Sequence, residues 1–388
     1  MRPSGRAPRG RGLRTGLAAA VAVACLSVGV AAALAEGGGV TPPSAPKAGD
    51  VVCIATCGGV HKATTNSNVQ ISGHHLKHVS KVQFSARRGG RIGVHPSSAT
   101  SRTVTAKVPR SAATGRPKVT DAYDNSSTSR RRLRIVPASQ IPDSSSFKLK
   151  AVSVKPHKSY YYGVKKPKVT YRFTNSEPTD VRIDVVRRTD GTIVDSWVKP
   201  AQEPNTSHTA AWKGVKRGSH KPAKNGSYRF RIGPESGTMD TTSNAKFAYH
   251  RFEFPVRGPH SYGDGVGAPR VGHTHQGQDL PARCGTKLVA ARGGRVQWKA
   301  YDGGGGNYLV IDGKKTSHDY VYMHLKKPSP LHKGQRVRTG QKIGIVGATG
   351  DATGCHLHME EWSGPGWYQG GHFLKAVTKH LKQWDRWS

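Results

Sequence analysis

Acidic side chains are scarce in this chain. Only 23 Asp and Glu stand against 61 Lys and Arg, a net charge of +38 at pH 7. So strong a positive field attracts polyanions. The basic residues are nonetheless spread over the whole length, with no basic helix and no aromatic-interleaved basic motif, which argues against nucleic acid as the partner. Aromatics make up 7% and hydrophobic residues 35%, too thin for one large core in 388 residues and better suited to two or three small domains. No HExxH occurs, which excludes the helix-based zinc proteases, and no nucleophile elbow supports a serine hydrolase. Glycine (47) and proline (24) are plentiful and favour turn-rich β structure over helix bundles.

The first 35 residues read as a secretory signal peptide. Arg2, Arg6, Arg9, Arg11 and Arg14 precede an apolar stretch from Leu17 to Leu34, and Ala33-Leu34-Ala35 supplies a cleavage site before Glu36. The competing reading is an uncleaved membrane anchor, because the apolar run approaches the length of a span. Cleavage would remove five arginines and no acids, lowering the net charge from +38 to +33. It would also leave four cysteines, Cys53, Cys57, Cys284 and Cys355. An even number in an exported chain implies two disulfides. Neighbourhood favours Cys53–Cys57 and Cys284–Cys355, and the sequence alone permits two other pairings. For an exported protein the nearest polyanions are anionic cell-wall polymers.

Residues 36–50 form a Gly/Pro linker expected to be flexible. Short β-like runs then extend to about residue 137, among them NVQISG, KVQFSA, TVTAKVP and RRLRIV, separated by polar turns. A second β stretch occupies residues 147–256, where Asp190-Gly191 between two alternating runs is a hairpin signal. Tyr160-Tyr161-Tyr162 suits edge-strand packing better than sugar stacking. Residues 258–388 are rich in His and Gly and again made of short strands. Only the tail HFLKAVTKHLKQW has a helical period.

Three segments of this last region carry chemistry: His273-Thr-His275-Gln-Gly-Gln-Asp279, Tyr322-Met-His324-Leu325 and Gly354-Cys-His356-Leu-His358-Met-Glu360. On a strand, His356 and His358 share one face while Leu357 and Met359 point to the core. His275 and Asp279 lie four apart with Gly277 allowing a bend between them. Two imidazoles and a carboxylate make a three-ligand set of the kind zinc accepts while keeping a fourth position for water. His356 is then placed to act as general base and His324 to hydrogen-bond a developing oxyanion. Any one of these histidines alone is more often a surface or core residue. His273, six residues from Asp279, is read as a rim residue, and Glu360 either steadies a ligand or ends the strand in solvent.

HTHQGQD, YMHL and TGCHLHME resemble the signature of the LytM/lysostaphin-type zinc metalloendopeptidases. CGTKLVAARGGRV, GNYLVID and HKGQRVRTGQKIGIVGATG extend the likeness over residues 268–363. By resemblance, His275, Asp279 and His358 correspond to the zinc ligands, and His356 and His324 to the two catalytic histidines. The resemblance implies one Zn2+ per chain, a small antiparallel β-sheet domain and peptidoglycan peptides as substrate. Cys355 stands where the commoner pattern has Pro, and Met359 where it has Phe. Residues 51–137 resemble an IPT/TIG immunoglobulin-like domain and residues 147–256 a FlgD-like immunoglobulin domain. The expectation is an all-β, secreted or wall-associated monomer: two immunoglobulin-like β-sandwiches followed by a zinc peptidase domain. It touches the membrane only if the signal segment stays uncleaved. The competing function is a non-enzymatic wall-binding protein or an activator of another wall hydrolase.

Overall fold

The structure is a computed structural model that describes residues 43–141, 146–237, 239 and 245–388. The expected signal peptide (1–35) and residues 36–42 of the linker lie outside the described residues. The chain is nearly all β, with one α-helix, Val377–Asp385, among the described residues. No described helix is long and apolar enough to cross a membrane.

Two facing sheets built from residues 47–135 enclose the first core. One has the strands Lys47–Gly59, Lys62–His74, Thr103–Lys107 and Ser98–Ala99 in that spatial order, with Arg134–Ile135 added beside the second. The other runs Arg91–Val94, Val79–Ser85, Lys118–Asp121, Ser126–Thr128. Alternation along these strands puts Val69, Ile71, Val82, Phe84, Val104 and Val119 into one shared core. The first strand begins at Lys47, so the last four residues of the expected linker are ordered by pairing with Ser72–His74 and their neighbours.

The second sandwich has a three-stranded sheet (Lys148–Lys155, Lys168–Thr174, His208–Ala211) and a five-stranded one containing the hairpin Thr179–Arg187/Ile193–Gln202. Gly191 turns that hairpin with φ 65°, the left-handed backbone that the Asp-Gly pair supplies. The module ends earlier than the 147–256 range expected. Its last strand stops at His250, and Phe254 and Val256 are packed into the core of the C-terminal domain.

A buried charge cluster joins the two sandwiches. Arg182, fully buried, donates to both carboxylate oxygens of Asp184 at 2.8 and 3.0 Å and to the carbonyl of Cys53 in the first sandwich at 2.6 Å. Arg231 and Ser196 donate to the same carboxylate. At the next junction, Arg292 is buried against the rings of Tyr161 and Phe252, 4.4 and 5.0 Å from their centroids, and donates to Arg251 and Lys314 carbonyls. Tyr161 is buried at this seam, and Tyr162 lies beneath Lys314 and Arg338. The tyrosine run therefore serves packing between domains.

The C-terminal domain is built on a six-stranded antiparallel sheet. Its spatial order is Gln278–Pro281, His356–Ser363, His318–Leu325, Gly306–Gly313, Gly294–Asp302, Arg336–Val337. Leu280, Leu357, Met359, Tyr320 and Tyr322 fill the face turned to the core. The C-terminal helix adds Val377, Leu381 and Trp384, spaced four and three apart, to the same core.

Removing the charge at Asp184 should be costly. The substitution Asp184→Asn leaves Arg182 and Arg231 buried without a counter-charge, and breaking a buried pair this way costs about 3–5 kcal/mol. Burial raises the Asp184 pKa, but Arg182 and then Arg231 outweigh it and hold the carboxyl below its ordinary value. Its contribution is thus complete above the unfolded carboxylate range near pH ~4 and is lost as pH falls through the depressed folded value. Thermal melts from pH 7 downward should show a steep acid loss in the wild type and a lower, flatter profile in the variant.

Candidate metal centre

Strand register builds the site. Asp279 sits directly opposite His358, and Pro281 opposite His356, where the short strand Gln278–Pro281 pairs with His356–Ser363. Alternation then carries Asp279, His356, His358 and Glu360 to one face while Leu280, Leu357 and Met359 go to the core. His275, Asp279 and His358 each bring a ligand atom within 4.8 Å of the others.

His324 arrives by a different route. Simple alternation from Tyr320 and Tyr322 would send it into the core. Instead the strand bulges here: Leu325 pairs with Asn307 and Tyr322 with Leu309, so two residues oppose the single Tyr308. His324 takes a left-handed backbone, φ 60°, that turns its ring to the metal face and lets Leu325 enter the core. The backbone N–H of His324 donates to Gly305 O at 2.8 Å.

Hydrogen bonding fixes which nitrogen each ring presents. His275 Nδ1–H donates to Gly265 O at 2.9 Å, His324 Nδ1–H to Thr349 O at 2.8 Å, and His356 Nδ1–H to Gly354 O at 2.8 Å. His358 is oriented the other way, its Nε2–H donating to Glu360 Oε1 at 3.1 Å. Glu360 is itself held by Trp362 Nε1–H at 2.7 Å, so it steadies the ring of His358 instead of ending in solvent. These bonds leave three lone-pair atoms facing one another: His275 Nε2 and His358 Nδ1 lie 3.0 and 2.9 Å from Asp279 Oδ1. Three acceptors can converge so closely only around a cation, either protons or a metal. The donor set of two imidazole nitrogens and one carboxylate oxygen fits zinc.

The charge balance is consistent with that arrangement. Burial would raise the Asp279 pKa, but the hydrogen bonds from His275 and His358 hold the carboxyl well below its usual range. Burial lowers His358, and its bonds to Asp279 and Glu360 more than reverse this, to about 9. A metal and a proton thus compete for the same atoms. Burial pushes His324 down to about 4, so its ring is neutral at pH 7.

His356 Nε2 lies 3.6 Å from Asp279 Oδ1, and its ring centroid is 4.6 Å from that of His324. His273 is exposed at the rim, with Nδ1 turned to Val271 O. The cysteines pair as Cys53–Cys57 and Cys284–Cys355. The second bridge links the segment after Asp279 to the residue before His356, and closing a loop of 71 residues contributes about 4 kcal/mol in the chain-entropy account.

The histidines open onto a groove of about 1070 Å³, walled by Asp302 and Gly304, by the Asp351–Gly354 loop and by Trp367 and Tyr368. These walls have no signature in the residue pattern. The backbone carbonyls of Gly265, Thr349 and Gly354, which set the imidazole tautomers, have no side-chain signature at all.

Residues 273–368 match the profile of Peptidase family M23. The same region is similar to a peptidoglycan DD-endopeptidase of Vibrio cholerae, 41% identical over 88 residues, 22% of this chain and 19% of that one. It is also similar to a glycyl-glycine endopeptidase of Staphylococcus capitis, 37% identical over 92 residues, 23% of this chain and 25% of the relative. The chain thus spans about a fifth to a quarter of the length of these curated relatives. Among solved structures, the catalytic domain of lysostaphin from Staphylococcus simulans is 28% identical, covering 32% of this chain and 92% of that one with a TM-score of 0.29.

Two substitutions outside the three-residue set should weaken metal binding. Gly277 does not have a positive φ; its role is close approach, since a Cβ there would lie 2.6 Å from Met359 O and 2.7 Å from His358 Nε2. Gly277→Ala must displace His358, and Glu360→Gln removes the charge that orients it. Each should lower zinc affinity by about 10–100-fold, the usual effect of losing an outer partner of a ligand. Competition with a chromophoric chelator measures this. Unchanged affinity in both variants would mean that His358 is not a ligand.

Proposed function

We propose that residues 258–388 form a zinc endopeptidase domain that hydrolyses peptide bonds in bacterial peptidoglycan. In this reading His275, Asp279 and His358 hold one Zn2+, and His356 and His324 are catalytic residues. The observation that carries it is the convergence of His275 Nε2 and His358 Nδ1 on Asp279 Oδ1, with every competing N–H committed elsewhere. The likeness to enzymes named as peptidoglycan endopeptidases supports the substrate class. The groove of about 1070 Å³ over the site leaves room for a peptide beside the histidines.

A zinc ion bound there would lower the pKa of a water molecule and polarise the scissile carbonyl. The protein's own part is proton handling. His356, with its Nδ1–H given to Gly354, offers Nε2 as the acceptor for the proton of the attacking water. The neutral His324 also offers a lone pair at Nε2, because its single N–H is given to Thr349. It can donate to a developing oxyanion or to the leaving amine only after taking up a proton, which places its action later than that of His356.

The two sandwiches, read as IPT/TIG-like and FlgD-like immunoglobulin modules, position or target this domain. Secretion through the N-terminal segment, and action at the cell wall, complete the reading. Two disulfides agree with an oxidising compartment.

The test uses the full chain and purified peptidoglycan, with release of new amino termini as the readout. Activity should vanish with a chelator and return with zinc. His356→Ala should reduce the rate by about 10²–10⁴-fold while zinc still binds, as expected for loss of a general base. His275→Ala should lose both activity and metal. Zinc binding with no hydrolysis of any wall preparation would sink the enzymatic reading in favour of a wall-binding or activator role. The released termini identify the bond cut.

A further inference from the structure

A cleft of about 390 Å³ between the two sandwiches carries charge that its own lining does not balance. Lys47, Arg102 and Arg130 reach it from the first sandwich, and Lys216, Arg217 and Lys224 from the second. Among the described residues none of these six is in an ion pair. The neighbouring Arg187 is already held by Asp190 at 3.0 Å, and the one carboxylate lining the cleft, Asp50, lies 3.7 Å from Arg131. Arg217 Nη1 is buried with no hydrogen-bond partner. The charge of Arg102 is the largest influence lowering the Lys224 pKa. Lys216 is lowered by burial first and then by Arg187, Lys224 and Arg102. These groups repel one another across a fixed gap, since Gln70 of one sandwich bonds Gly191 O and the Ile193 N–H of the other. Like charges in a concave, partly desolvated site favour a bound anion.

The lining also limits what that anion is. Apart from His74, which sits against Arg102, the cleft has no aromatic ring. Single-stranded nucleic acid is bound by stacking its bases on aromatic side chains as well as by charge. A chain of phosphates without bases needs only the cations.

We propose that this cleft binds a base-free, phosphate-rich polyanion, gripped between Arg102 on one side and Lys216, Arg217 and Lys224 on the other. The site uses none of His275, His324, His356 and His358, so it stands or falls independently of the hydrolytic reading. The same chemistry is offered by a poly(glycerol phosphate) of the wall-polymer type and by inorganic polyphosphate.

Calorimetric titration of the full chain with inorganic polyphosphate, poly(glycerol phosphate) and oligothymidylate, at equal phosphate concentration, separates these sources. Two charge-matched variants accompany the wild type. One is Arg102→Gln/Lys216→Gln/Lys224→Gln. The other is Lys148→Gln/Lys150→Gln/Lys155→Gln, on exposed positions of the strand Lys148–Lys155. The cleft variant should bind phosphate polymers at least about tenfold more weakly, with the salt slope of log K reduced by about two, and the control should change less than about twofold. Lys224→Gln alone, at an exposed position, should show a loss of about threefold and serves if the triple variant fails to fold. His356→Ala should bind like the wild type. Of the two phosphate polymers, the one bound more tightly by the wild type identifies the source. Equal losses in the cleft and control variants, tighter binding of oligothymidylate than of either phosphate polymer, or no binding of any probe would each overturn the proposal.

Discussion

Everything at the metal centre depends on one strand pairing. The four residues Gln278–Pro281 lie antiparallel to His356–Ser363, in a register that sets Asp279 against His358. A slip of one residue would send Asp279 and His358 to opposite faces and destroy the set. Several devices resist such a slip. Leu280, Leu357 and Met359 are fully buried on the reverse face, and the Cys284–Cys355 bridge ties the two segments just beyond the pairing. Gly277 lets its backbone pass over His358 with no room for a side chain. The apolar core thus holds the register, and the register holds the polar atoms.

The second constraint is the direction of each imidazole proton. A histidine can offer a lone pair inward only if its N–H is satisfied outward. Here backbone carbonyls do this for His275, His324 and His356, and Glu360 does it for His358. The exception in orientation, His358, is also the residue whose partner is a buried carboxylate fixed by an indole N–H. This supporting layer lies on the sheet and on the loops around the groove, so the geometry of the centre is inherited from rigid elements.

Buried polar contacts extend beyond the C-terminal domain. Arg182 with Asp184 at one junction and Arg292 against Tyr161 at the other are buried guanidinium contacts, each crossing from one folded unit to the next. Such contacts are expensive to leave half-made, and they hold the sandwiches and the groove as one body. Phe254 and Val256, which follow the last strand of the second sandwich, already belong to the C-terminal core. The passage from one unit to the next is therefore packed structure, not a tether.

Much of this was legible in the residues. The alternation of HLHME, the spacing of His275 and Asp279, the Asp-Gly hairpin and the tail helix follow from local periodicity and spacing, which act along the chain whatever the fold. Neighbourhood favoured the two cysteine pairs, but the fold chose them from three possible pairings. His324 could be named as a participant but not oriented, because the bulge that turns it depends on where Leu325 finds space in the core. The linker boundary at Lys47, the early end of the second sandwich, the inter-domain place of Tyr161 and Tyr162 and the walls of the groove were equally hidden. Each is decided by residues a long way off in sequence, and a backbone carbonyl that fixes a tautomer leaves no trace in the side-chain alphabet. The sequence by itself determined which atoms could hold a metal. The tertiary structure decided which lone pairs face one another, because that depends on pairing register, a bulge and distant acceptors that only a folded chain brings together.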